Sequence, residues 1–150
     1  MKKINLLLLV ILLSLRTLAQ TSEDSVKGAI RQFFTGMFNA DTLLLKKSFS
    51  ETATLQTAVG EKAGGTGVEN TPLQDFYNRI GRLSRGDADE RIQFDVLKID
   101  GPLAMAWTPY QFYFKGKINH CGVDAFLLVR IKGSWKIQSV IDTRRKEDCK

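Results

Sequence analysis

The chain has 150 residues, 43% of them hydrophobic, and a formal net charge of +6; this suits one packed domain and is short for two. Three of the cations, Lys2, Lys3 and Arg16, lie in the first twenty residues, so +6 less those three leaves +3 on the rest. So small an excess, gathered partly in Arg144-Arg145-Lys146, reads as solvated surface and excludes a basic-patch nucleic-acid binder, while a single histidine and scattered carboxylates form no metal-ligand spacing, so neither a metal nor a cofactor is expected.

Lys2 and Lys3 precede an apolar run over Ile4–Leu15, and Thr17-Leu18-Ala19 supplies a small-x-small cleavage site. This is the pattern of a secretory signal peptide over residues 1–19. The run is short of the ~20 apolar residues a membrane span needs. The expectation is an exported protein, periplasmic or extracellular, with no stable membrane anchor after cleavage and one domain over residues 20–150.

Thr21-Ser22-Glu23-Asp24 has the form of a capping box. Val26, Ile30, Phe33, Phe34, Met37 and Phe38 follow at helical spacing, which predicts a helix ending near Asn39. Asp41 caps a second, shorter helix carrying Leu43, Leu44, Leu45 and Phe49. Thr52–Val59 has the β-branched content of a strand and leads into a Gly-rich stretch, Gly60–Gly67, read as a hairpin tip without the order of a phosphate loop. A third helix opens with Thr71 as N-cap and Pro72 at the first helical position, and its apolar stripe is Leu73, Phe76, Tyr77, Ile80 and Leu83. Arg85–Glu90 reads as a charged connection.

Four strands then follow in series: Arg91–Asp100, Leu103–Lys115, His120–Ile131 and Ser134–Thr143. They are separated by Gly101-Pro102, Gly116–Asn119 and Lys132-Gly133. Helices first and an antiparallel sheet after is an α+β arrangement in which the helices cover one face of the sheet. Pairing the strands through even-length turns sets Val96 and Leu128 beside Trp107, Gln111 beside Asp124, and Asp124 beside Ile141. The predicted inner face then holds Ile92, Phe94, Val96, Met105, Trp107, Tyr113, Phe126, Leu128, Trp135, Ile137 and Ile141. Ala106, Leu127, Val129 and Asp142 fall outside. Gly122 is expected opposite Tyr113, leaving room beside its ring.

A curved sheet wrapped on helices encloses a cone, and Gln111, Tyr113, His120 and Asp124 gather at one end of it. A few convergent polar groups in an apolar recess describe a small-molecule site. The predicted ligand-binding residues are Trp107, Gln111, Tyr113, His120, Asp124 and Phe126. Burial should raise the pKa of Asp124, fitting it for acid–base work. Cys121 lies opposite Arg144 in this register and points away from His120, which argues against a Cys–His nucleophile. Cys121 and Cys149 either form a disulfide across the C-terminal tail or remain two thiols; export makes the bond chemically accessible.

The order of three helices and a curved sheet resembles the nuclear transport factor 2-like superfamily, a cone-shaped α+β fold with three N-terminal helices packed on a curved antiparallel sheet. Within it, Ala106-Trp107-Thr108-Pro109-Tyr110, His120-Cys121-Gly122-Val123-Asp124-Ala125-Phe126, and Trp135-Lys136-Ile137 through Asp142-Thr143-Arg144-Arg145 resemble the bacterial group called putative lumazine-binding proteins. The resemblance implies an exported small-molecule-binding protein with an apolar conical pocket, its ligand a small apolar or aromatic molecule such as a flat pterin ring. An alternative is an isomerase- or dehydratase-like enzyme acting by acid–base chemistry on a small ring. Ketosteroid isomerases in the superfamily use an Asp base with a Tyr and a neutral Asp as donors. Here Asp124, Tyr113 and His120 would be the catalytic residues, with no second carboxylate placed on the inner face. The third reading is a dimerisation or partner-binding module, a homodimer formed through the sheet.

Overall fold

The computed structural model describes residues 21–60 and 66–149. The signal-peptide segment and the tip of the Gly-rich stretch lie outside them. Helix α1 (Ser22–Asn39) begins as its capping box requires, with Thr21 Oγ1 accepting from the Asp24 amide, and it closes on Ala40 in the left-handed conformation. Helix α2 (Thr42–Ser48) is capped by Asp41, whose carboxylate accepts from the Leu44 amide. Strands β1 (Phe49–Gly60) and β2 (Thr66–Asn70) form a hairpin. Helix α3 (Leu73–Ile80) starts one residue later than predicted: Pro72, not Thr71, is the N-cap and no side chain caps the helix.

The predicted strand Arg91–Asp100 is two strands, β3 (Ala88–Ile92) and β4 (Val96–Asp100), and Gln93–Asp95 interrupt them. Strands β5 (Leu103–Phe114), β6 (Lys117–Ile131) and β7 (Ser134–Thr143) complete the sheet. The order is β2-β1-β7-β6-β5-β3, with β4 also on β5. The sheet is mixed rather than antiparallel throughout, because β1 runs parallel to β7. A parallel neighbour needs a crossover, and the whole α3–β6 stretch supplies it.

The stripes of α1 and α3 cover one face as expected, but of the apolar residues expected on α2 only Leu45 is buried within the helix: Leu43 is exposed, and Phe49 belongs to β1. Phe33 is the hub, with ring centroids 5.4 Å from Phe49, 5.9 Å from Phe76 and 6.1 Å from Phe126. Ile30, Leu45, Leu128 and Ile137 are fully buried around it.

The predicted register fails at two bulges. The β5–β6 hairpin turns at Lys115-Gly116, both at positive φ, and pairs Phe114 with Lys117. That turn by itself preserves the predicted faces. However, pairing slips by one residue between Phe112 and Tyr113, where β6 carries the extra Asn119, and the slip inverts the rest of β5. Trp107 therefore pairs with Ala125, not Leu128, and Gln111 with Cys121, not Asp124. Ala104, Ala106, Thr108 and Tyr110 point inward and are buried, whereas Met105 and Trp107 are exposed. Val96 pairs with Trp107 as predicted and so follows it outward. The small residues lie inward because the aromatic rings of α1 already fill the space there.

The second bulge lies in β7. Lys132-Gly133 turns as expected and pairs Ile131 with Ser134, but register slips between Leu127 and Leu128, where Gln138 is extra. Beyond it Asp142, not Ile141, stands beside Asp124. The expected outward position of Asp142 is thus reversed, and Cys121 pairs with Arg145 rather than Arg144.

Candidate functional site

A cavity of about 470 Å³ opens between the sheet and α3, within the range of small-molecule sites. Its walls are apolar, with Phe33, Met37, Phe76 and Ile80 from the helices and Phe112 and Val140 from the sheet. The sheet side contributes Glu90 on β3, His120 and Asp124 on β6, Asp142 on β7 and Arg144 just after it, while Thr71, Arg79 and Arg82 are polar lining from around α3.

Asp124 is 5% exposed. Thr108, opposite it on β5, donates its hydroxyl to Asp124 Oδ2 at 3.2 Å. Glu90 and Asp124 lie close enough that each carboxyl acts on the other's proton affinity. Burial and then the nearby Asp142 push Asp124 up to about 8, against the lowering effects of Thr108, Glu90 and the Arg144 charge. Glu90 is raised well above the usual carboxylate range by burial, then by Asp124 and Asp142. Asp142 Oδ2 accepts from Arg144 Nε at 2.7 Å and from the Tyr110 hydroxyl at 3.3 Å. Asp142 Oδ1 is buried and accepts no hydrogen bond.

Tyr110 spans the base of this cluster. Its hydroxyl also donates to the Thr143 carbonyl at 2.9 Å, and burial followed by the Asp142 charge raises its pKa. Gly122 makes room for this contact. A Cβ there would lie 1.8 Å from the Thr143 carbonyl oxygen and 3.0 Å from Tyr110 Cε1. Room beside a tyrosine ring was the expected role of Gly122, but the ring is that of Tyr110, its partner across the ladder, not Tyr113. The His120 ring lies tilted against the Phe112 ring, centroids 4.9 Å apart, with Nδ1 2.8 Å from Asn119 Oδ1. Burial and the Arg144 charge lower its pKa, so the ring is neutral near pH 7.

Of the residues predicted to line the site, His120 and Asp124 do so. Phe126 is inward and 1% exposed, buried between Phe33 and Phe34 in the core beneath the cavity. Trp107, Gln111 and Tyr113 lie on the opposite sheet face, carried there by the β6 bulge. Trp107 is 42% exposed. The Tyr113 hydroxyl donates to Gln111 Oε1 at 3.2 Å, and the Arg91 guanidinium covers the Tyr113 ring at 4.1 Å. None of these three lines the cavity beside α3. Sequence reasoning missed Glu90, Tyr110, Asp142 and Arg144. The alternation of Ala104, Ala106, Thr108 and Tyr110 was the available signal for β5, since small residues must face bulky helical aromatics. Cys121 and Cys149 are joined in a disulfide, with Cα atoms 5.5 Å apart, which ties the tail beyond Arg144 to β6.

Comparison with known proteins follows the same lines. The family described as "Putative lumazine-binding" matches residues 21–140. A nuclear transport factor 2-like protein of unknown function from Shewanella baltica superposes with a TM-score of 0.67 at 17% identity, covering 88% of this chain and 100% of that one. A second, from Methylobacillus flagellatus, gives 0.64 at 18% identity over 86% and 96%. A cystatin-like protein of unknown function from Nostoc punctiforme gives 0.64 at 13% identity over 85% and 95%. At these identities the likeness establishes the fold alone. No curated protein matches the sequence.

Proposed function

Because the chain belongs to the family described as "Putative lumazine-binding", we propose that it is a small-molecule-binding protein whose ligand is a flat, largely apolar ring held in the cone. One observation carries this reading: a cavity of about 470 Å³ with apolar walls and polar groups clustered on its sheet side. A ring sandwiched by Phe112 and Phe76 would bury its faces and direct its polar edge to Asp124 and Asp142. Calorimetric titration with lumazine tests this. Saturable binding at a stoichiometry of one is expected, and absence of saturation by lumazine and by simple aromatic compounds alike would overturn it.

A second reading is acid–base catalysis on a small ring. Favouring it is the gathering of Glu90, Asp124 and Asp142 in the lining of one cavity, where burial raises the proton affinity of Asp124 and Glu90. Asp142 removes the earlier objection that a second inner carboxylate is missing. In this reading Asp124 is the base and His120 a neighbour, while Tyr110 takes the place expected of Tyr113. Deuterium exchange next to the carbonyl of a cyclic ketone, followed by NMR, should be accelerated by the protein and abolished by Asp124→Asn. An undiminished rate in that variant would remove this reading.

Export is part of the same proposal. Its supports are the leader-like residues 1–19 and the Cys121–Cys149 bond, which suits an oxidising compartment. The outer sheet face, where Met105, Trp107 and Leu127 are exposed side by side, favours association through the sheet into a homodimer.

A further inference from the structure

We propose that the cavity selects ligands whose polar edge is a cationic, donor-rich group of the amidine or aminopyrimidine type, and that it rejects carboxylates. This rests on the small-molecule reading above and adds the chemistry of the edge.

The inference comes from counting which hydrogen-bonding valences are still free. The Glu90 and Asp124 carboxyls lie close enough to act on each other. The Tyr110 hydroxyl is spent on Asp142 Oδ2 and the Thr143 carbonyl, and the Thr108 hydroxyl on Asp124. On the buried, sheet side of the lining two acceptors are left. Asp142 Oδ1 is buried without a donor on a residue only 8% exposed, although a buried carboxylate oxygen ordinarily has one. His120 Nδ1 lies 2.8 Å from Asn119 Oδ1, an acceptor that selects the Nδ1–H tautomer, and in that tautomer the neutral ring offers Nε2 as an acceptor.

Charge points the same way. Three carboxyls meet one guanidinium, and Arg144 is half exposed, with its Nε committed to Asp142 Oδ2. Arg79 and Arg82 also line the cavity, but both are exposed and therefore screened by water. Burial and mutual repulsion keep Asp124 protonated near neutral pH, and an incoming cation relieves that repulsion. A metal ion is the weaker candidate: among the described residues no three potential ligands converge as a metal site would need. A planar amidinium instead matches a carboxylate with two parallel N–H donors.

The test compares three probes that share one ring: benzamidine, benzamide and benzoate, titrated into the full chain and read by calorimetry and by amide chemical shifts. Benzamidine should bind at least tenfold more tightly than benzamide, with benzoate below detection, and the largest shifts should fall on β7 around Asp142. Asp142→Asn should cost benzamidine at least tenfold and benzamide less than threefold. Benzamide or benzoate binding as tightly as benzamidine would overturn the inference while leaving the ring-binding reading in place. Failure of all three while lumazine binds would also overturn the inference, and failure of lumazine as well would take the ring-binding reading down with it. The comparison on the unmodified protein decides the matter even if the variant folds poorly.

Discussion

At the scale of single residues, the chemistry is concentrated in Asp124. Its pKa of about 8 in the folded protein stands against an ordinary value of 3.8. Between those values the folded state keeps a proton that the unfolded chain has lost. Stability from this group is therefore complete below the unfolded value and is lost as pH rises toward 8. Asp124→Asn should flatten that part of the pH profile, leaving the variant more stable than the parent near pH 8.5 by at least about 1 kcal/mol, since one pKa unit corresponds to about 1.4 kcal/mol. Thermal melts across pH 5–9 check this, and parallel profiles for the two proteins would contradict it. Gly122 is the other residue on which the site depends. With a Cβ only 1.8 Å from the Thr143 carbonyl, Gly122→Ala must push β6 from the end of β7. A loss of about 3 kcal/mol or more is expected in urea unfolding. That displacement would also move Tyr110 and Asp142 apart, so probe binding should weaken along with stability.

At the scale of elements, the two bulges decide what the sheet presents. Asn119 turns Tyr110 and Thr108 inward, and Gln138 turns Asp142 inward to meet Asp124. Bulges commonly re-aim side chains beside sites, and here both lie within a few residues of the carboxyl cluster. Deleting Gln138 would restore an uninterrupted ladder with Asp142 on the outer face or else strain the parallel β1–β7 pairing. The expected outcome is loss of probe binding together with a fall of more than about 3 kcal/mol in stability, measured by titration and chemical denaturation on the same sample. Retained affinity would show that Asp142 is not needed inside. The helices had no such ambiguity. Their caps at Thr21 and Asp41 and their apolar stripes lie in the local sequence, and the observed helices start where those signals lie, apart from the one-residue offset at Pro72.

At the scale of the whole molecule, the helices cover the inner face and leave the outer face open. Trp107, Met105 and Leu127 form an apolar surface there, joined by Val96. Burying it between two copies is the homodimer proposed above. Sedimentation at rising concentration should show reversible dimers, and Trp107→Lys should shift them to monomer without altering probe affinity, because Trp107 is outside the cavity. A parent protein that stays monomeric at high concentration would contradict this.

The local signals in the chain determined the α+β class, the three helices, the turns at Gly101-Pro102 and Lys132-Gly133, and the inward Asp124, Phe126, Leu128 and Ile137. Each depends on periodicity or on turn chemistry within a few residues. Strand facing beyond a bulge was not legible, because one extra residue reverses every later side chain and nothing in Asn119 or Gln138 marks it as extra. For the same reason Trp107 and Tyr113 belong outside and Asp142 inside. The meeting of Glu90, Asp124 and Asp142 was settled only by tertiary structure: three carboxyls from three strands line one cavity, and the raised proton affinities of Glu90 and Asp124 exist only because the fold buries them there together.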